Sequence, residues 1–186
     1  MKDYWVTTLI LSPEGAYPFL ALDDRLLAHA CRVEAYQASG PGGQKRNRTY
    51  SAIRLSHSAT NISVIAEESR SQNENKLRAL RRLRMAIALR VRKQPGAACP
   101  AIPDTITVYF KQDTPLQVNQ RNPLYPLVCA TILDALYFKQ GSIGDASRLL
   151  GLSTGRLSRF LGRDRDLLHA VNELRSHFNL KPLKQG

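Results

Sequence analysis

Polar and apolar residues alternate along three short stretches in the first half of this chain, and each stretch reads as a half-buried strand. Arg32–Gln37 places Val33, Ala35 and Gln37 on one face. Ser51–Ser56 alternates Ile53 and Leu55 with polar neighbours, and Asn61–Ala66 follows after the turn-like Ser58-Ala59-Thr60-Asn61. A short helix over Asp23–Ala30, opened by Asp23 and Asp24, precedes them. At Ser71 the period changes: Leu77, Leu80, Leu83, Ile87 and Val91 recur at steps of three and four as far as Lys93. This spacing predicts a long helix whose apolar stripe covers the sheet. Arg78, Arg81, Arg82 and Arg92 fall elsewhere on its circumference, and no acid follows Glu74, so the basic side is left for solvent or phosphate.

Pro95-Gly96 ends that helix, and the β-branched and aromatic run Thr105–Phe110 predicts another strand, kept short by Pro100 and Pro103. Gln112–Pro126 is polar and proline-interrupted, as a linker is. Beyond it helical spacing returns in Leu127–Phe138, Ser142–Leu150, Thr154–Leu161 and Asp164–Phe178. The expected class is α+β, a small mixed sheet under a long basic helix, followed by an all-α module. The domains are drawn at 1–111 and 127–186 with a linker at 112–126.

Composition narrows the partners. With 186 residues the chain can hold one sizeable core or two small ones, and a net charge of +12 points to a polyanion, nucleic acid first. A membrane fits less well, because no apolar run nears the roughly 20 residues that span a bilayer and Met1 opens no charged-then-apolar leader. Cys31, Cys99 and Cys129 are far apart and in no metal-ligand spacing; they read as reduced, mostly packing thiols of a cytoplasmic protein. His29, His57, His169 and His177 are equally dispersed, so neither a metal nor another cofactor is expected.

The first predicted strand runs into Ala38-Ser39-Gly40-Pro41-Gly42-Gly43-Gln44-Lys45-Arg46-Asn47-Arg48-Thr49, a loop with almost no apolar residue. Gly40, Gly42 and Gly43 open backbone paths closed to other residues, and Pro41 narrows them. A glutamine carried on such a loop can be pushed into a narrow site where backbone approaches a reacting atom. Gly-Gly-Gln alone arises by chance in about one chain in thirty of this length at average glycine usage, so its flanks decide its meaning.

Ser39-Gly40-Pro41-Gly42-Gly43-Gln44, Asn47, Ser51-Ala52-Ile53-Arg54-Leu55-Ser56-His57 and Arg70-Ser71-Gln72 with Asn75-Lys76 together resemble the catalytic domain of class I peptide chain release factors. Order, spacing and strand-helix context agree over Cys31 to Leu89. The resemblance implies a protruding Gly-Gly-Gln loop that hydrolyses the ester between a nascent peptide and tRNA in the peptidyl transferase centre. There the backbone N–H of Gln44 stabilises the negative carbonyl oxygen and Gly42 and Gly43 permit its placement. The Gln44 side chain shapes a pocket that admits water. Ribosomal and transfer RNA supply the remaining catalysis, in keeping with the absence of any Ser-His-Asp, Cys-His or paired-carboxylate set.

The implied partners are the ribosome, through its large-subunit RNA and the P-site peptidyl-tRNA, and a methyltransferase for which Gln44 is a candidate substrate. Lys45, Arg46, Asn47, Arg48, Arg70, Gln72 and Lys76 are the candidate RNA contacts of this domain. Arg46 departs from the family, which usually has an apolar residue there. No N-terminal helical domain or stop-codon-reading domain is recognisable, which points to codon-independent ribosome rescue. Rescue hydrolases of that kind end in a basic tail, but here only Lys181-Pro182-Leu183-Lys184-Gln185-Gly186 is available.

In place of a tail stands Ala146–Leu161, which looks like a helix-turn-helix: Ser147 lies four before Gly151, and Ala146, Leu150, Leu157 and Phe160 occupy buried positions. Arg156, Ser158 and Arg159 then face outward, Arg156 and Arg159 as further candidate RNA contacts. The alternative is a compact helical bundle whose glycine turn merely resembles the motif; for a genuine helix-turn-helix the target is open between ribosomal RNA, other RNA and DNA. Two rivals to hydrolysis follow, a non-catalytic RNA- or DNA-binding protein that reads through the helix-turn-helix, and a regulator that enters the peptidyl transferase centre without chemistry.

Overall fold

Alternation becomes a sheet where two strands can share one buried face. β2 (Cys31–Tyr36) and β3 (Ala52–His57) pair antiparallel from Cys31 opposite His57 to Tyr36 opposite Ala52, and β3 pairs β4 (Ser63–Ala66) antiparallel from Ile53 opposite Ala66 to Ser56 opposite Ser63. Val33, Leu55 and Val64 therefore share a face with Ala35, Ile53 and Ala66. Leu55, Val64, Ile53 and Ala66 are buried there, whereas Val33 on the edge strand is 43% exposed. On the opposite face Glu34 lies across from Arg54, whose guanidinium also sits 5.5 Å from the Tyr36 ring centroid.

The computed structural model describes residues 9–37, 50–94, 96, 99–111 and 116–184. They form two compact units: Pro18–Ile87 makes one, and the segment ending at Tyr17 joins Ala88 and the residues after it in the other. The first unit holds the three-stranded sheet, the end of α1 (Tyr17–Leu20), α2 (Asp24–His29) and most of α3 (Gln72–Arg90). Asp23 caps α2 by accepting the Leu26 amide at 2.7 Å.

Along α3 the buried stripe is Asn75, Ala79, Leu80, Leu83 and Ile87. Leu77, expected in it, lies well round the circumference and is 49% exposed. The basic side is not simply left to solvent. Arg82 donates to the Ile65 carbonyl and pairs with Glu68, and Arg84 pairs with Asp24 at 2.9 Å and donates to the carbonyls of Leu20 and Leu22. Arg78 pairs with Glu74 one turn before it.

His57 closes β3 with 1% exposure, its Nδ1 2.9 Å from Thr60 Oγ1 and its ring edge-on to Phe19 at 4.9 Å. Burial holds this imidazole below its ordinary value of 6.5.

In the second unit β1 (Ile10–Ser12) pairs parallel with β5 (Val91–Lys93). The helix expected to reach Lys93 thus ends at Arg90, and Arg92, expected at the solvent side, is wholly buried. Its guanidinium finds acceptors inside: the Ala88 carbonyl freed at the helix end, the Ala130 carbonyl at 3.0 Å and Asp134 at 2.9 Å. Asp134 lies on α4 (Tyr125–Phe138), which is apolar nearly all round, as a central helix is. Burial raises the Asp134 carboxyl, and Arg92 opposes that rise.

Asp104–Phe110 is a 3-10 helix and not the expected strand. Pro103 presets its entry, Thr107 Oγ1 bonds the Pro103 carbonyl at 3.2 Å, and the buried residues are Ile106 and Phe110, four apart, instead of alternate ones. Tyr109 accepts a 2.9 Å hydrogen bond from Asn122. α5 (Ile143–Leu149), α6 (Thr154–Gly162) and α7 (Arg165–His177) complete the unit. Asp164 caps α7, accepts the Tyr125 hydroxyl at 2.6 Å and takes Gln120 at 3.0 Å. Of the cysteines Cys129 is buried, Cys31 half-buried and Cys99 exposed, all as free thiols.

Removing one member of the buried pair strands the other. Asp134→Ala is expected to cost about 3–5 kcal/mol in chemical denaturation, and Arg92→Met with Asp134→Leu to recover most of it. Because the His57 imidazole titrates below its unfolded value of 6.5, the unfolded chain binds more protons. Its stabilising contribution is complete above that pH and is lost as pH falls toward the folded value. Melting temperature should therefore drop on acidification below the unfolded value, and less so in His57→Phe.

Candidate functional site

The candidate loop joins β2 to β3, whose ends are registered as Tyr36 opposite Ala52. Gly42, Gly43, Gln44, Lys45, Arg46, Asn47 and Arg48 lie outside the described residues. What the structure describes is the root from which they leave. On the outgoing side the Tyr36 hydroxyl reaches Glu67 at 3.3 Å. On the returning side two side chains from the first turn of α3 hold the backbone: Gln72 Nε2 donates to the Tyr50 carbonyl at 3.1 Å and Asn75 Nδ2 to the Ser51 carbonyl at 2.7 Å.

Asn75 is the deeper of the two. It is wholly buried, and its carboxamide is saturated on both sides. Nδ2 also donates to the Ser69 carbonyl at 2.8 Å, and Oδ1 accepts the Ser69 amide at 2.9 Å. The amide thereby ties the approach to α3 and the returning strand to one point. Asn75 belongs to the motif that carries the resemblance, but the motif alone does not mark it as a site residue. The signal was present, since Asn75 stands on the stripe of Ala79, Leu83 and Ile87 at steps of four, where a polar group must be hydrogen-bonded.

Charge around the root is sorted by pairing. Burial raises the Glu68 carboxyl, but the Arg82 hydrogen bond and charge outweigh it and hold the group below its ordinary value. The Ser69 hydroxyl and Arg78 do the same to Glu74. Both acids are thus spent on neighbouring cations. Among the described residues Arg70, Lys76 and Arg81 are exposed with no ion pair, so the positive potential near the α3 N-terminus is theirs. Gln72 is also exposed, but its amide is engaged with Tyr50. Tyr50 itself is 65% exposed.

The structure brings Arg70, Gln72 and Lys76 together at the start of α3. Arg156 and Arg159 lie on α6 in the second unit: Arg156 is half-buried and donates to the Lys111 carbonyl at 3.0 Å, while Arg159 is exposed. No group of three or more His, Cys, Asp or Glu among the described residues is placed to hold a metal, and no described helix is long and apolar enough to cross a membrane.

The RF-1 domain family model matches residues 25–101. This stretch is similar to an RF-1 domain. The segment takes in the hairpin, its connecting loop and α3. Similar proteins include peptide chain release factor 2 of Paramagnetospirillum magneticum, 37% identical over 98 residues, which cover 52% of this chain and 26% of that protein. Peptide chain release factor 1 of Anaplasma marginale is 42% identical over 77 residues, 41% of this chain and 20% of that protein. Peptide chain release factor 1 of Rickettsia rickettsii is 39% identical over 80 residues, 43% and 21% of the two chains. The chain spans about a quarter or less of the length of these relatives.

The buried Asn75 amide gives a direct test. Asn75→Ala leaves the Ser51 carbonyl and both Ser69 backbone groups without their partner and should cost about 2–4 kcal/mol. Gln72→Ala, at an exposed bond, should stay within about 0.5 kcal/mol of the parent protein. Urea denaturation of the two variants side by side checks the contrast.

Proposed function

We propose that this chain hydrolyses the ester of peptidyl-tRNA on the ribosome, with Gly42-Gly43-Gln44 as the tip that enters the peptidyl transferase centre. The observation that carries this reading is the RF-1 domain match over residues 25–101, which contains the tripeptide. The chemistry asks little of the protein. Water attacks the ester carbonyl, negative charge grows on its oxygen, and a fixed backbone N–H stabilises that charge as it forms. Gln44 provides the N–H, and its side chain bounds the space for water. Gly42 and Gly43 allow the backbone to come close enough. Side-chain methylation of Gln44 by a methyltransferase fits the same tip.

Lys45, Arg46, Asn47, Arg48, Arg70, Gln72 and Lys76 contact large-subunit RNA around the tip, and the exposed Tyr50 ring adds a surface on which a base can stack. Arg156 and Arg159 contact RNA from the second unit. The domain acts without reading a codon, on cytoplasmic ribosomes stalled with peptidyl-tRNA, and the C-terminal helices supply the placement. Support for this comes from the match to the RF-1 domain model over residues 25–101 and from a helical unit that has its own core.

Purified protein should release peptide from ribosomes that carry P-site peptidyl-tRNA and an empty A site. Gln44→Pro, which removes the backbone N–H, should lower the release rate about 100-fold or more with ribosome binding retained. Gly43→Ala should fall in the same direction. A parent protein that binds such ribosomes and releases nothing would leave the non-catalytic reading in possession.

A further inference from the structure

A cavity of about 460 Å³ lies among the C-terminal turns of α3, α4 and α7 and Leu9, just ahead of β1. Its described walls all belong to the second unit, and its volume falls in the range of sites that take small organic molecules. Leu9, Leu89, Ala170 and Leu174 make the walls largely apolar. The Tyr137 and His177 rings, 6.4 Å apart and inclined at 31°, add aromatic surface.

Arg90 is the lining residue that the fold does not account for. It is half-buried on the last turn of α3, and its Nε is shut off from water without a hydrogen-bond partner. Among the described residues no ion pair or hydrogen bond engages the rest of its guanidinium either. The other buried or half-buried arginines all have acceptors: Arg78, Arg82, Arg84, Arg92, Arg156 and Arg175. Burial pulls the Arg90 guanidinium below its ordinary value, and no neighbouring acid counters that effect. A cation that has lost solvent and gained no acceptor is unfavourable in the protein alone, and an anion entering the cavity removes the deficit.

The walls also limit which anion fits. Glu173 lines the same cavity from an exposed position on α7 and has no ion pair. Its carboxylate repels a multiply charged ligand such as a phosphate ester, whereas one negative charge is matched by one guanidinium.

We propose that this cavity binds a small amphipathic carboxylate, with the acid on Arg90 and the apolar body against Leu9, Leu89, Ala170 and Leu174. Two carboxylate oxygens match the guanidinium fork, and the walls give a hydrocarbon body the contact it lacks in water. Exposed cations elsewhere on the surface attract anions of any kind; this site requires both the acid and the apolar body. The proposal goes beyond peptide release and does not rest on it.

Isothermal titration of the full chain with octanoate, octanamide and acetate tests it. Octanoate should bind about tenfold more tightly than octanamide, which keeps the body and loses the charge. Acetate, which keeps the charge and loses the body, should bind at least tenfold more weakly than octanoate. Arg90→Met retains an apolar stem and should bring octanoate down to the affinity of octanamide, while the variant melts no lower than the parent because no partner is lost. Ala170→Leu narrows the cavity and should weaken octanoate and octanamide alike. Equal binding of the acid and the amide would overturn the proposal, as would an octanoate preference that survives Arg90→Met, or binding of neither compound.

Discussion

The Asn75 carboxamide is shut off from water, and the groups it bonds come from two distant places in the chain, Ser51 and Ser69. A buried amide of this kind has only two acceptable states, fully bonded or absent, because each lone group left in the core carries its whole desolvation cost. Its saturation therefore fixes the α3 N-terminus against the point where the chain re-enters the sheet. Gln72 adds a second, exposed bond one residue earlier in the returning strand. The root of the loop is held from the helix side by hydrogen bonds and from the sheet side by strand pairing.

Charge in this protein is divided between cations used inside and cations presented outside. Arg92 and Arg84 serve as multi-armed donors to backbone carbonyls and carboxylates, a role that suits the planar, permanently charged guanidinium. Arg70, Lys76 and Arg81 at the start of α3, and Arg159 and Arg163 in the helical unit, keep their charge at the surface. Among the described residues these cations give the surface positive faces that no ion pair offsets.

How much of this was legible in the chain depends on the range of the interaction. Strand alternation, the turn at Ser58–Asn61 and the four C-terminal helices are local patterns, and β2, β3, β4 and α4–α7 lie where those patterns place them to within a residue or two. Local reading failed where a distant partner intervened. Arg92 looks like one more solvent cation of a basic helix until Asp134 and Ala130 are brought beside it. Val33 sits on the face its alternation assigns, but at an edge strand where burial stops short. Thr105–Phe110 has strand composition, yet a threonine hydroxyl bonded to the Pro103 carbonyl and burial four residues apart favour a tight helix. At the candidate site the motif residues could be named in advance, whereas the hub function of Asn75 needed Ser51, 24 positions away.

The register of the hairpin has a consequence for how such a domain can diverge. Side chains alternate with a period of two, so one residue inserted within β3 would exchange Ile53 and Leu55 for Arg54 and Ser56 on the buried face. Insertion between Tyr36 and Tyr50 carries no such penalty, because the held residues Tyr50 and Ser51 and the pairing at Ala52 are the same whatever lies before them. Length change there is uncoupled from the packing of the hairpin's buried face, so the connection can vary while its root is inherited unaltered.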